Sequence, residues 1–159
     1  MRILGIDPGL QITGYGVIDF DLRTPKLIDG GVIRLDTAAD IPQRLVELEK
    51  ELEAIYAEHK PQVVAVEQVY SHVTHPRTSI LMGHARGVIL LTAARRGLPV
   101  HEYAANRIKK NLTGQGHAEK AQMQRAIQML WKLPAPPEPP DVADALAIAL
   151  CCGRALLGA

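Results

Sequence analysis

Aromatic residues are scarce in this chain: one Phe, one Trp and four Tyr among 159 residues. Its core must therefore be assembled from Leu, Ile, Val and Ala. Cysteine is nearly absent as well. The two present, Cys151 and Cys152, are adjacent within an apolar helical pattern, and neighbours on a helix point apart and do not meet disulfide geometry. That argues against a disulfide scaffold and for free thiols in a reducing compartment. Long apolar runs are missing too, none reaching the roughly 20 residues a membrane-spanning helix needs. No signal-peptide pattern opens the chain, because Met1-Arg2 leads straight into a strand-like run. The expectation is a cytoplasmic protein with no membrane partner, organised as one domain over residues 1–159.

An excess of one charge is also lacking, since the formal net charge is +1. The distribution is uneven, however. Between Arg95 and Lys132 there are eight Lys or Arg residues against two Glu; between Asp36 and Glu67 there are eight acids against Arg44, Lys50 and Lys60. A basic face for a polyanion is one reading and two solvated helix faces are the other.

Four acids stand in informative settings. Asp7 ends the apolar run Ile3-Leu4-Gly5-Ile6 and is followed by Pro8-Gly9; Glu67 ends Val63-Val64-Ala65-Val66. Asp141 and Asp144 lie three apart where the proline-rich stretch Pro134–Pro140 meets an Ala- and Leu-rich helical pattern. Residues i and i+3 share a helix face. Carboxylates at the ends of buried strands are costly without a compensating cation, and a cluster of hard oxygen ligands suits Mg²⁺ or Mn²⁺. Two such ions roughly 4 Å apart activate a water and stabilise a leaving oxygen at phosphorus, with Asp7 the natural bridging ligand. The alternative for the pair is a helix N-cap at Asp141 and a first-turn acid at Asp144.

The pattern predicts a mixed α/β sheet of five strands with helices on both faces. Strands are expected over Arg2–Asp7, about Tyr15–Phe20, about Lys26–Leu35 with a bulge at Gly30-Gly31, Val63–Glu67 and Pro99–Tyr103. Helices are expected over Ile41–His59, about Thr78–Arg96, Arg107–Leu112, Ala118–Trp131 and Asp141 to about Leu157, with Ser71–Arg77 a loop. Gly14 and Gly16 are read as permitting a tight strand turn. His72 and His75 lack the cysteine or third histidine of a zinc site and are read as loop residues.

Taken together, Gly5-Ile6-Asp7-Pro8-Gly9, Thr13-Gly14-Tyr15-Gly16, Glu67-Gln68-Val69-Tyr70, Gly83-His84-Ala85-Arg86-Gly87-Val88, Tyr103-Ala104-Ala105, Gly114-Gln115-Gly116-His117-Ala118-Glu119-Lys120 and Asp141-Val142-Ala143-Asp144-Ala145-Leu146-Ala147 resemble the RuvC family of bacterial Holliday junction resolvases, in order and over almost the whole chain. The resemblance implies an RNase H-like fold and a homodimer. It also implies Mg²⁺-dependent (Mn²⁺ as substitute) symmetric nicking of four-way DNA junctions in homologous recombination and repair, and coupling to the branch-migration proteins RuvA and RuvB. It places the catalytic and metal-binding acids at Asp7, Glu67, Asp141 and Asp144, with Asp141 the least constrained, since some relatives carry His there. It gives Tyr70 a base-stacking role, Lys109, Lys110 and Lys120 DNA contacts, and Lys120 a part in stabilising transition-state charge. Arg77, Arg86 and Arg107 are further candidates for backbone contacts. Along the second helix, Ile80, Leu81, Met82, Ala85, Val88 and Ile89 beside Gly83 and Gly87 are apolar on more than one side; core packing explains part of this, and the resemblance implies that the rest forms a dimer contact.

Three other functions compete. An RNase H-like nuclease acting on RNA would use the same acids. An actin-like ATPase needs two lobes, for which the chain is too short. A non-catalytic junction binder has no use for the acidic quartet.

Overall fold

The run Ile3-Leu4-Gly5-Ile6 carries no polar alternation because both faces of its strand are covered. The computed structural model of the protein describes residues 1–68 and 76–158. Its elements are β1 (Arg2–Asp7), β2 (Ile12–Asp19), β3 (Lys26–Arg34), α1 (Ile41–His59), β4 (Val63–Glu67), α2 (Pro76–Arg95), β5 (Val100–Tyr103), α3 (Ala105–Thr113), α4 (Lys120–Trp131) and α5 (Pro140–Leu157). The sheet order is β3-β2-β1-β4-β5. β1, β2 and β3 pair antiparallel, whereas β1, β4 and β5 run parallel. This is the mixed five-stranded sheet, helices on both faces, that the sequence predicts.

Side chains alternate across a strand, and the two faces bury separate clusters. Leu4, Ile6, Val64 and Val66 pack with Leu48, Leu52 and Ile55 of α1 and Ala85 and Ile89 of α2. Ile3, Val63 and Ala65 face the other way, toward Ile108 of α3, Met123 and Ile127 of α4, and α5. Helix α5 is buried almost continuously from Val142 to Gly153, which accounts for its Ala-rich composition. It lies so close to the sheet that a Cβ on Gly5 would stand 2.2 Å from the Ala145 carbonyl oxygen and 2.7 Å from the Ala149 nitrogen. Cys151 and Cys152 are buried free thiols within it. Among the described residues, no helix is long and apolar enough to cross a membrane.

The structure differs from the sequence expectation at three places. The bulge expected at Gly30-Gly31 falls instead at Ile28: Val17 pairs with Asp29 but Ile18 with Leu27, so Ile28 is the extra residue. Gly31 is needed for a different reason, because a Cβ there would lie 2.9 Å from the Tyr15 ring. Gly14 and Gly16 make no turn; both lie within β2, paired with Asp7 and Gly5. Pro76 and Arg77 belong to the first turn of α2 rather than to a loop, as Pro suits a helix start, where its missing N–H is not required.

Candidate active site

Strand parity decides where the first two acids point. Asp7 follows Ile3 and Gly5 on the α5 side of β1, and Glu67 follows Val63 and Ala65 on the α5 side of β4. The two strands are parallel neighbours with Ile6 opposite Val66, so both carboxyls leave the same edge of the sheet one residue later. The second pair arrives from α5. Asp7 is paired with Gly14 across β1 and β2, and a Cβ on Gly14 would lie 2.3 Å from the Asp141 carbonyl oxygen. Only a bare backbone lets the first turn of α5 settle there.

Asp141 is not the helix cap. The N-cap of α5 is Pro139, with no side-chain capping bond, and Asp141 lies in the first turn. The entry of the chain into α5 is held by buried Gln124 of α4, whose Nε2 donates to the Pro137 carbonyl and to Glu138 Oε1, both at 2.9 Å. All four acids line one cleft of about 640 Å³, together with Lys109, Lys120, Arg44 and the apolar Leu10, Leu81 and Met82.

The electrostatics show a surplus of negative charge. Burial, and then Asp144, Glu67 and Asp141, push the Asp7 carboxyl well above the usual carboxylate range, against a smaller opposing pull from Lys120. Glu67 is raised by burial and by Asp144, while Lys109 and Lys120 pull it back. Asp144 is raised by burial and Asp141, with Lys120 and Lys109 opposing. Two lysines do not offset this set. Among the described residues no group of three or more His, Cys, Asp or Glu is placed to hold one ion, so the acids line an open cleft rather than a closed cage. An oxygen-only donor set of crowded carboxyls fits a hard divalent cation. Mg²⁺ in particular takes one or two carboxylates and completes its shell with water and substrate phosphate.

The remaining candidates divide. Lys120 is the first residue of α4 and Lys109 lies on α3; both reach the cleft. At the start of α4 the N–H of the cap residue Glu119 is taken by Gln122 Oε1, which accepts from it at 2.8 Å in a capping box. Lys110 and Arg77 are exposed and do not line the cleft. Arg86 is paired with Glu102 at 2.5 Å, and Arg107 stacks 5.1 Å above the Tyr103 ring. Tyr70, His72 and His75 lie outside the described residues. Arg44 is the cleft residue the sequence reading passed over. Its signal was its position as one of only three bases in the acidic stretch 36–67.

Comparison with known proteins identifies the chain's relatives in sequence and in fold. The sequence model of the family "Crossover junction endodeoxyribonuclease RuvC" matches residues 3–152. A protein of that name from Rhodopirellula baltica is 50% identical over 149 residues, covering 94% of this chain and 84% of its own. One from Halorhodospira halophila is 45% identical over 150 residues, covering 94% and 88%. The solved structure of Thermus thermophilus RuvC superposes with a TM-score of 0.87 at 29% identity, covering 99% of this chain and 97% of the other. The same protein in complex with a Holliday junction substrate gives 0.89 at 29% identity, covering 99% and 96%. The fold is that of the RNase H-like resolvases, and the chain belongs to the RuvC family of crossover junction endodeoxyribonucleases.

Proposed function

We propose that this chain resolves four-way DNA junctions by hydrolysing one phosphodiester bond in each of two opposed strands. The observation that carries the reading is the single cleft where Asp7, Glu67, Asp141 and Asp144 converge beside Lys109 and Lys120. In this reading the four acids hold two Mg²⁺ ions, for which Mn²⁺ substitutes. When bound, such ions generate the nucleophilic hydroxide and stabilise the leaving 3′ oxygen.

The chain's own residues do the rest. Asp7, central in the sheet, fixes the position of the site relative to the core. Asp141 and Asp144 hold theirs through the rigid first turn of α5. Lys120 sets a positive charge against the phosphoryl oxygens as negative charge builds on them. Lys109, Lys110 and Arg77 contact the backbone of the arms, which gives salt-dependent binding without sequence preference. Tyr70 stacks on a base at the crossover, a contact worth about 1–3 kcal/mol.

Two cuts need two sites, and we read the active species as a homodimer. The outer face of α2 supports this: Ile80 and Leu91 are 61% and 48% exposed, with exposed Gly83 and Gly87 between them. A two-fold contact along this helix would set two clefts on opposed strands. One domain per chain, action in the cytoplasm and coupling to RuvA and RuvB complete the proposal, on the strength of the family.

The test is cleavage of synthetic mobile and immobile junctions, with duplex and RNA–DNA hybrid controls, across a Mg²⁺ and Mn²⁺ titration with both nicks mapped. Paired symmetric cuts confined to junctions are expected. Equal cutting of hybrids, or cutting unaffected by chelator, would refute the reading.

A further inference from the structure

Arg44 stands on the wall of the cleft that the lysines do not reach. Its helix, α1, packs on the face of the sheet opposite α5, whereas Lys109 and Lys120 belong to α3 and α4 on the α5 side. The acidic centre at the end of β1 therefore has cations on both sides of the sheet edge, and among the described residues the one lining the cleft from the α1 side is Arg44.

Its side chain is held in place yet has capacity to spare. Nε donates to the Ala39 carbonyl at 2.9 Å and Nη2 to the Thr37 carbonyl, both in the turn between β3 and α1. A guanidinium carries five N–H donors, so the two carbonyls leave three for another acceptor. Arg2, Arg86, Arg95 and Arg96 each have a carboxylate partner; among the described residues Arg44 has none within salt-bridge distance. The acids closest in sequence are engaged with amides: Asp40 accepts from the Gln43 N–H at 2.9 Å and Glu47 from the Asp36 N–H at 3.3 Å. A half-buried, pre-oriented, unpaired fork in a nuclease cleft matches the geometry of a phosphate.

We propose that Arg44 anchors a backbone phosphate of the cut strand, flanking the scissile one on the α1 side. The inference rests on the junction-cutting reading above and adds the residue that fixes how the strand lies across the acids. Neutralising a phosphate releases counterions, so each such contact contributes about 0.7–0.9 to the slope of log affinity against log salt. A residue that only braces a turn contributes nothing to it.

The experiment measures junction binding without divalent metal from 50 to 200 mM salt for the wild type, Arg44→Gln and Arg44→Lys, with melting temperature alongside. Arg44→Gln is expected to lose about 0.7–0.9 of slope for each chain that touches the junction, and Arg44→Lys, which keeps the charge, to retain it. A destabilised Arg44→Gln with the wild-type slope would overturn the inference and leave Arg44 as a loop brace. Should Arg44→Gln not fold, wild type decides on junctions carrying single neutral methylphosphonates: weakened binding at a position flanking the cut supports the anchor, and insensitivity at every flanking position overturns it. A wild type that neither binds nor cuts junctions would instead sink the underlying reading.

Discussion

Replacing Gly14 by Ala adds one methyl group where the sheet and the start of α5 touch. The new Cβ would lie 2.3 Å from the Asp141 carbonyl oxygen, 2.8 Å from its carbon and 3.1 Å from its Cβ, whereas ordinary contact begins at 3.4 Å. Two of these three atoms are backbone, so no flexible side-chain end is available to yield. The first turn of α5 must move out by about 1 Å, the misplacement that typically costs an active site about 10²-fold in rate. Overpacking costs about 1–3 kcal/mol, and the stiffer unfolded chain returns about 0.4–1 kcal/mol. A net loss of about 1–2 kcal/mol corresponds to a melting temperature lower by about 2–8 °C for a chain of this size. Junction binding, which depends on cations away from Gly14, should change little. The assay is single-turnover cutting of a mobile junction in saturating Mg²⁺, beside a thermal melt and a binding titration. A variant that melts and cuts like the wild type would refute the argument that bare backbone at position 14 places the two helix acids.

Four more outcomes follow from the same structure. Asp7→Asn should abolish cutting, keep junction binding and, without metal, raise stability by about 0.5–2 kcal/mol, the usual return for removing a strained functional group; thermal melts in EDTA check it, and a lower melting temperature would contradict the crowding described. Because Asp7, Glu67 and Asp144 hold raised pKa values in the folded state, their contribution is fully present below the ordinary carboxylate range near 4 and is lost as pH rises through the raised values. Metal-free protein should thus lose stability as pH climbs above about 4, more steeply than Asp7→Asn, whereas Asp19 and Asp21, whose values are lowered, act only on the acid side of that range. Gln124→Ala leaves the Pro137 carbonyl without its donor and should cost about 1–3 kcal/mol, with a cutting rate reduced more than junction affinity; urea titration and kinetics read the two effects. Leu91→Glu should yield monomers in sedimentation and convert paired cuts into single nicks; an intact dimer would remove α2 as the contact.

The strand-end acids were legible because Asp7 and Glu67 interrupt two runs too apolar for a single buried face, and parity then aims both the same way. Asp141 and Asp144 were legible as a pair but ambiguous in role, since a helix start explains acids equally well; only the cap at Pro139 separates the two readings. Gly14 was misread because a Gly-x-Gly pattern looks the same whether it makes a turn or admits a helix at close range. That distinction depends on contact between residues 14 and 141, which no local pattern encodes. Arg44 was hidden for a similar reason: its membership of the cleft comes from sheet order, which brings the start of α1 beside the turn after β1.

Helix α5 carries two of the four acids and also fills the larger half of the core. Substitutions along it therefore cannot be sorted into those that disturb folding and those that disturb chemistry: a small shift at Ala145 or Ala149, against Gly5, travels along a rigid rod to Asp141 and Asp144. Cutting rate thus serves as a sensitive gauge of packing deep inside the molecule. Stabilising changes that leave the enzyme untouched are better sought in α1, away from Arg44, since that helix brings none of the four acids to the cleft.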